Sequence, residues 1–149
     1  LTNRQIGFKS AEFGRMTIKQ IISAYSKQKV QVTEPSILIR INQHFRYSMT
    51  EMELYDFTRG YWKINIDRAK NAKYAFAVYN GIIQEVYEIK TWLKAGESMS
   101  VRGKIETIDD RVEFIGNLAP EIIHQKYKYK SVEDYFKKGN ANPIMYINC

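Results

Sequence analysis

The sequence predicts an α+β domain, a small curved sheet or partly open β-barrel with short flanking helices. Three observations carry that expectation. Two β-rich runs, residues 74–79 (YAFAVY) and 82–89 (IIQEVYEI), are separated by Asn80-Gly81, a pair suited to the two left-handed positions of a type I′ hairpin turn. Short helical segments with capping signals fall between strand-like runs, and there are too few long helices for a doubly wound parallel sheet. A chain of 149 residues with 44% hydrophobic and 26% charged residues, only 8 Gly and 3 Pro, has the composition of one packed core rather than a disordered segment. No internal repeat or Pro- or Ser-rich linker divides it, so residues 1–149 read as a single domain.

Taken in order, Thr17 with Gln20 forms a capping box, and Ile18, Ile21, Ile22 and Tyr25 recur at helical spacing, predicting an amphipathic helix over 17–28. Residues 36–42 (SILIRIN) alternate as a strand, with Ile37, Ile39 and Ile41 on one face and Leu38, Arg40 and Asn42 on the other. Ser48 with Glu51 predicts a second capping box, opening a helix through Met52 and Tyr55 that stops at Gly60 in a left-handed conformation. Residues 61–66 look extended, and Asp67 caps a short helix over RAKNAK. After the hairpin, residues 95–110 are polar and read as a loop or weak strand. Residues 111–115 (RVEFI) alternate Val112 and Phe114 against charged neighbours as a strand. Pro120 fits the first turn of a helix running to Tyr127, Ser131 and Asp134 open another short helix, and residues 143–148 (PIMYIN) close the sheet.

The totals bound the function. Cys149 is the only cysteine, so no internal disulfide and no Cys-based zinc site can form. No apolar run approaches the roughly 18–20 residues that span a bilayer, and no signal-peptide layout opens the chain. A soluble protein of a reducing compartment, the cytoplasm, is expected. The chain opens on Leu1 rather than Met, which suggests a segment of something longer. Lys and Arg outnumber Asp and Glu by 23 to 16, a formal charge of +7 with a pI near 9.4, and such a surplus draws polyanions.

Catalytic constellations are not legible. His44 and His124 lie far apart without metal-ligand spacing, and each reads as a surface or boundary histidine. No Gly-rich phosphate loop and no GxSxG is present. The acid pairs Asp109-Asp110 and Glu133-Asp134 are sequence neighbours that suit a solvated surface. Neither enzyme activity nor a cofactor nor a metal is therefore expected.

Aromatic content is the informative feature: 11 Tyr, 7 Phe and 2 Trp, many within residues 55–92 beside Arg59, Lys63, Arg68, Lys70 and Lys73. Rings interleaved with cations suit base stacking with phosphate neutralisation. Core packing is the competing use, above all for Trp62, Phe76 and Trp92. In the run 54–62 (LYDFTRGYW), Tyr55, Thr58, Arg59 and Trp62 follow helical spacing, so one face would carry two rings, a hydroxyl and a guanidinium. Arg59 would instead be structural if it pairs with Glu53, Asp56 or a carbonyl. Tyr79 and Asn42 join this set as base-contacting candidates. Lys126, Lys128, Lys130, Lys137 and Lys138 form the candidate phosphate-contacting stretch, with an ordinary solvated face as the equal alternative. The Asn140 and Asn142 amides either reach a ligand or cap the turn 139–143 (GNANP).

The opening LTN, then GFKSAEFGRM, LYDFTRGYW, YAFAVYNGIIQEVYEI, RVEFIG and YFKKGNANPIMYIN are similar, in this order, to the region downstream of the nuclease core in LEM-like GIY-YIG nuclease proteins. The similarity covers nearly the whole chain but describes an accessory region. It implies that residues 1–14 are the remnant of a preceding nuclease domain or linker, since the catalytic Tyr, Arg and Glu of such a core have no counterpart here. The hairpin, short helices and aromatic-plus-Arg run also resemble PUA-like domains, the ASCH, EVE and YTH group, several of which read a base in an aromatic-lined pocket. The expectation is a nucleic-acid-binding accessory domain, DNA favoured over RNA, that places a covalently linked nuclease or restriction effector, with no membrane partner. A sensor for a nucleotide-sized small molecule and a self-association module are the alternatives.

Overall fold

A computed structural model of the protein describes residues 16–100, 108–137, 139 and 141–149. In chain order the elements are α1 (Ile18–Ser26), β1 (Ser36–Arg40), α2 (Glu51–Arg59), α3 (Ile66–Ala69), β2 (Tyr74–Tyr79), β3 (Ile82–Ala95), β4 (Ile108–Leu118), α4 (Glu121–Tyr127), a 3-10 turn (Glu133–Tyr135) and β5 (Ile144–Ile147). The strands form one five-stranded sheet in the order β4-β3-β2-β1-β5. β1 and β2 are parallel, and every other pair is antiparallel. The class is α+β as expected, and the sheet is open, with β4 and β5 as its edges. Among the described residues no helix is long and apolar enough to cross a membrane.

β1 shows why the chain folds this way. Joining two parallel strands requires a crossover, and residues 41–73 supply it with α2 and α3. Strand alternation then divides the core. Ile37 and Ile39 join Ala75, Ala77, Tyr87 and Phe114 beneath the crossover, while Leu38 joins Phe76, Val78, Ile83, Val86 and Tyr127 on the other face. The hairpin turn has Asn80 at φ 49° and Gly81 at φ 76°, the two left-handed positions that the pair predicts.

Several boundaries differ from expectation for identifiable reasons. Thr50 and Glu53, not Ser48 and Glu51, form the capping box of α2, two residues further on in an overlapping copy of the same pattern. Gly60 is extended (φ −164°) rather than left-handed, because the chain leaves α2 directly into a bridge in which Trp62 and Val112 exchange both backbone hydrogen bonds. Asn65 rather than Asp67 caps α3, its Oδ1 accepting from the backbone N–H groups of Asp67 and Arg68. Pro120 stands at the N-cap of α4 rather than inside its first turn. Ser131 opens no α-helix, since its backbone is engaged in bridges to Lys29 and Ile82, and only a 3-10 turn follows. β3 and β4 run longer than their hydrophobic patterns, because ladder pairing with each other satisfies the backbone of polar residues such as Glu88, Thr91 and Lys94. Of the polar stretch 95–110, residues 101–107 lie outside the described residues, as do the opening segment 1–15, Lys138 and Asn140.

The apolar stripe of α1 is the clearest departure. Ile18 is 76% and Tyr25 73% exposed, and Ser23 is the buried residue of this helix. The adjacent sheet face is already covered by Tyr127 of α4 and by Val132, which leaves α1 at the margin.

Gly116 marks the tightest strand contact. A Cβ there would lie 2.2 Å from the Glu88 carbonyl oxygen, a backbone atom that cannot turn aside. Gly116→Ala is expected to destabilise the protein by about 1–3 kcal/mol, measured as a lower urea midpoint. An unchanged midpoint would mean that β3 and β4 separate there without penalty.

Candidate functional site

The run expected to present an outward face turns inward. Arg59 is 3% exposed and Glu113, facing it from β4, is 0% exposed. Arg59 Nε donates to Asp56 Oδ1 (3.0 Å), Nη1 to Glu113 Oε2 (2.5 Å) and Ser98 Oγ (2.5 Å), and Nη2 to the Met99 carbonyl (2.5 Å). Burial disfavours the guanidinium charge, and the Glu113 and Asp56 carboxylates more than restore it, so the Arg59 pKa is raised. The guanidinium is thus consumed by the protein, the structural use that pairing with Asp56 or a carbonyl foresaw. Glu53 is not its partner, since it caps α2 and pairs with Arg46 at 3.3 Å. Glu113 escaped sequence reading because an acid beside Val112 and Phe114 looks solvated until α2 and residues 96–100 cover it.

Thr58 is likewise buried, its Oγ1 donating to the Leu54 carbonyl (2.6 Å). Tyr55 packs against Tyr87 and Phe114, and its Oη accepts the Gly116 N–H (3.0 Å). Tyr55 and Arg59 still line a cavity of about 460 Å3, but it is walled mainly by Met52, Met99 and Ile115. Phe76 is core, and Trp92 is packed against the core beneath the crossover.

A different set converges at the carboxyl end of β1. Trp62 lines a cleft of about 290 Å3 with Arg40, Asn42, Gln43, His44 and Pro143. The cleft lies beyond the carboxyl end of β1, between the residues that follow that strand and the turn that leads into β5. Trp62 is half-buried, its Nε1 donating to the Thr58 carbonyl at 2.7 Å, which sets the ring plane. Arg40 is held by Nη2 donation to the Asn142 carbonyl (2.6 Å) and by the Phe136 ring, 4.5 Å from its guanidinium carbon. Asn42 is exposed and its Oδ1 accepts the Asn80 N–H (3.1 Å), which presents the amide nitrogen as donor. His44 is exposed and stacked on Phe57 with ring centroids 5.1 Å apart, a surface histidine as expected. Asn142 caps its turn, Oδ1 accepting the Ile144 N–H at 3.0 Å. Sequence reading named Trp62 and Asn42 but missed Arg40, Gln43 and His44; the strand alternation that put Arg40 and Asn42 on one face was the available signal. Tyr79 is not among the residues that line this cleft and packs on Phe45 (4.7 Å) and Tyr47 (5.7 Å).

Two lysines of the stretch are paired with carboxylates. Lys126 Nζ donates to Glu34 Oε1 (2.9 Å), Lys128 Nζ to Glu85 Oε2 (3.2 Å) and Lys130 Nζ to Gln28 Oε1 (2.8 Å), while Lys137 is exposed. His124, half-buried, contacts the same Glu85. Among the described residues no group of three or more His, Cys, Asp or Glu is placed to hold a metal ion.

Glu34 has a pH consequence. Partial burial pushes its pKa up, and hydrogen bonds from Tyr127 and Lys126 outweigh that, so it lies below the usual 4.5. A depressed carboxylate contributes stability that is complete above its unfolded value and is lost as pH falls through the lower folded one. Glu34→Gln is expected to lose about 1–2 kcal/mol at neutral pH. The gap to the parent should close in acid below the ordinary glutamate range, as urea melts across pH would show. A gap independent of pH would assign the loss to packing.

No family model matches the chain, and neither a curated protein nor a solved structure matches it.

Proposed function

We propose that the protein is a nucleic-acid-binding domain, DNA favoured over RNA, that receives an unstacked base in the cleft at the carboxyl end of β1 and serves to position a linked nuclease or restriction effector. The PUA-like reading of the fold belongs to the same proposal. The convergence of Trp62, Asn42, Arg40 and His44 in one cleft carries it. An indole face stacks a base, the Asn42 amide and His44 reach its edge, and Arg40 stands where a phosphate would need a cation. The lysines contribute long-range attraction through the +7 net charge more than direct contacts, since Lys126, Lys128 and Lys130 already have partners.

The cavity lined by Tyr55, Met52 and Met99 favours a second reading, a sensor for a small apolar ligand, because its wall is mostly hydrophobic. Binding of single-stranded, duplex and base-modified duplex DNA across a salt series separates the two. Preference for one form by more than about tenfold, surviving at high salt and lost with Asn42→Ala, supports the base cleft. Equal, steeply salt-dependent binding to every form reduces the protein to a phosphate-attracting surface. No DNA binding, with tight uptake of a free apolar ligand, selects the sensor.

A further inference from the structure

A hollow of about 180 Å3 lies between α1 and the segment that follows α4, lined by Lys19, Ser23, Ser26, Gln28, Lys128 and Lys130. Helical spacing puts Lys19, Ser23 and Ser26 on one face of α1. The two sides are locked together: the Ser131 N–H donates to the Gln28 carbonyl (2.7 Å) and the Val30 N–H to the Ser131 carbonyl (3.1 Å). Tyr129, between the two lysines of the second side, has φ 67°, a left-handed conformation that is costly for a residue with a side chain and recurs at ligand sites. It is fixed there, since its N–H donates to the Ile83 carbonyl (2.8 Å) and the Lys130 carbonyl accepts the Ile83 N–H (2.9 Å). No carboxylate is among the lining residues. Lys27 and Lys29, just after α1, are paired with Glu133 (3.7 Å) and Asp134 (3.0 Å) instead. Lys128 reaches Glu85 (3.2 Å), which offsets its charge. Lys130 is held by a neutral partner, Gln28 Oε1 (2.8 Å), and keeps two further N–H donors. Among the described residues neither Lys130 nor Lys19, which is exposed, is paired with a carboxylate. Two cations thus share one small hollow without a counter-charge, an arrangement that repels itself until an anion enters.

We infer that this hollow binds the dianionic phosphate of a phosphomonoester. A monoester carries about 1.5–2 negative charges at neutral pH, which matches the two uncompensated ammonium groups, whereas a diester within a nucleic-acid strand carries one. A carboxylate likewise brings one. The volume is below the roughly 300–1,000 Å3 of sites for whole small molecules and suits a single group. The Ser26 hydroxyl, on the same wall as Lys19, is a further donor. Such a phosphate comes from the end of a nucleic-acid strand or from a small phosphate ester. Only the strand end rests on the nucleic-acid reading above, and the hollow shares no lining residue with the Trp62 cleft.

The test is a titration of the full chain with inorganic phosphate at about pH 8, where its second proton is off. Ionic strength is held constant with chloride, and NMR follows the Ser26 and Tyr129 amides and the Trp62 indole. Saturable shifts at Ser26 and Tyr129, with acetate at least about tenfold weaker, support the inference. Lys19→Gln and Lys130→Gln should each weaken phosphate binding by about tenfold, the loss of one charge-assisted contact, at an unchanged melting temperature. No saturable shift, an equal response to acetate, or undiminished affinity in either variant overturns it. A terminally phosphorylated oligonucleotide and its hydroxyl-ended twin then separate the sources. Tighter binding of the phosphorylated strand, lost in Lys19→Gln, assigns the strand end, and equal binding assigns a small phosphate ester. If phosphate leaves the hollow unmoved while the oligonucleotide still shifts Trp62, the nucleic-acid reading stands and this inference alone falls. If neither moves, both fall.

Discussion

Arg59→Met will lower the free energy of unfolding by about 3–5 kcal/mol, the penalty for leaving buried carboxylates without their cation. Glu113 is completely buried and Asp56 nearly so, and both face the guanidinium that the substitution removes. Arg59→Lys should restore little, because one ammonium cannot serve Asp56, Glu113, Ser98 and the Met99 carbonyl in the planar arrangement that a guanidinium satisfies. Removing Glu113 as well, in Arg59→Met with Glu113→Leu, should recover part of the loss, since it removes one of the two stranded carboxylates and leaves Asp56. Urea melts of the single and double variants, read as a cycle, measure the coupling. A loss under about 1 kcal/mol would place the network in water, where a guanidinium is free to meet a ligand, and would reinstate the outward reading of this run.

On the proposed reading of the β1 cleft, Trp62→Ala is expected to weaken DNA binding by about 1–3 kcal/mol, roughly 5- to 150-fold, the contribution of one stacked base. The indole also packs against the core beneath the crossover and bonds Thr58, so stability must be followed beside affinity. Trp62→Phe separates the roles: it forfeits the hydrogen bond to Thr58 but keeps a ring face. It should melt earlier than the parent and yet bind within several-fold of it. Fluorescence anisotropy of a labelled oligonucleotide supplies the affinity, with Trp92→Phe as the control outside the cleft. A folded Trp62→Ala protein that binds DNA like the parent would remove the β1 cleft from consideration.

Local chemistry was legible wherever neighbours in sequence are also partners in space. The Asn80-Gly81 turn, the Thr17 capping box and the alternation of Ile37, Leu38 and Ile39 each depend on a few adjacent residues, and each stands as read. Competing local signals were not resolvable from sequence. Ser48 and Thr50 both precede a glutamate by three residues, and the tertiary position of α2 decided for Thr50. The stripe on α1 is a sound amphipathic pattern, but α4 claimed the sheet face it would have covered.

The candidate site divides along the same line. Sequence by itself determined that Asn42 and Trp62 carry groups suited to a base, that Cys149 makes no internal disulfide, and that cations exceed acids. The tertiary structure alone decided which way those groups face. It gave Arg59 to Glu113, 54 residues away along the chain, and Lys126 to Glu34, 92 residues away. It also brought Arg40 and His44 into one cleft with Trp62. The reason is physical: a side chain's type and spacing state what it can bond, whereas burial and long-range partners decide whether that capacity is spent inside the protein or remains for a ligand.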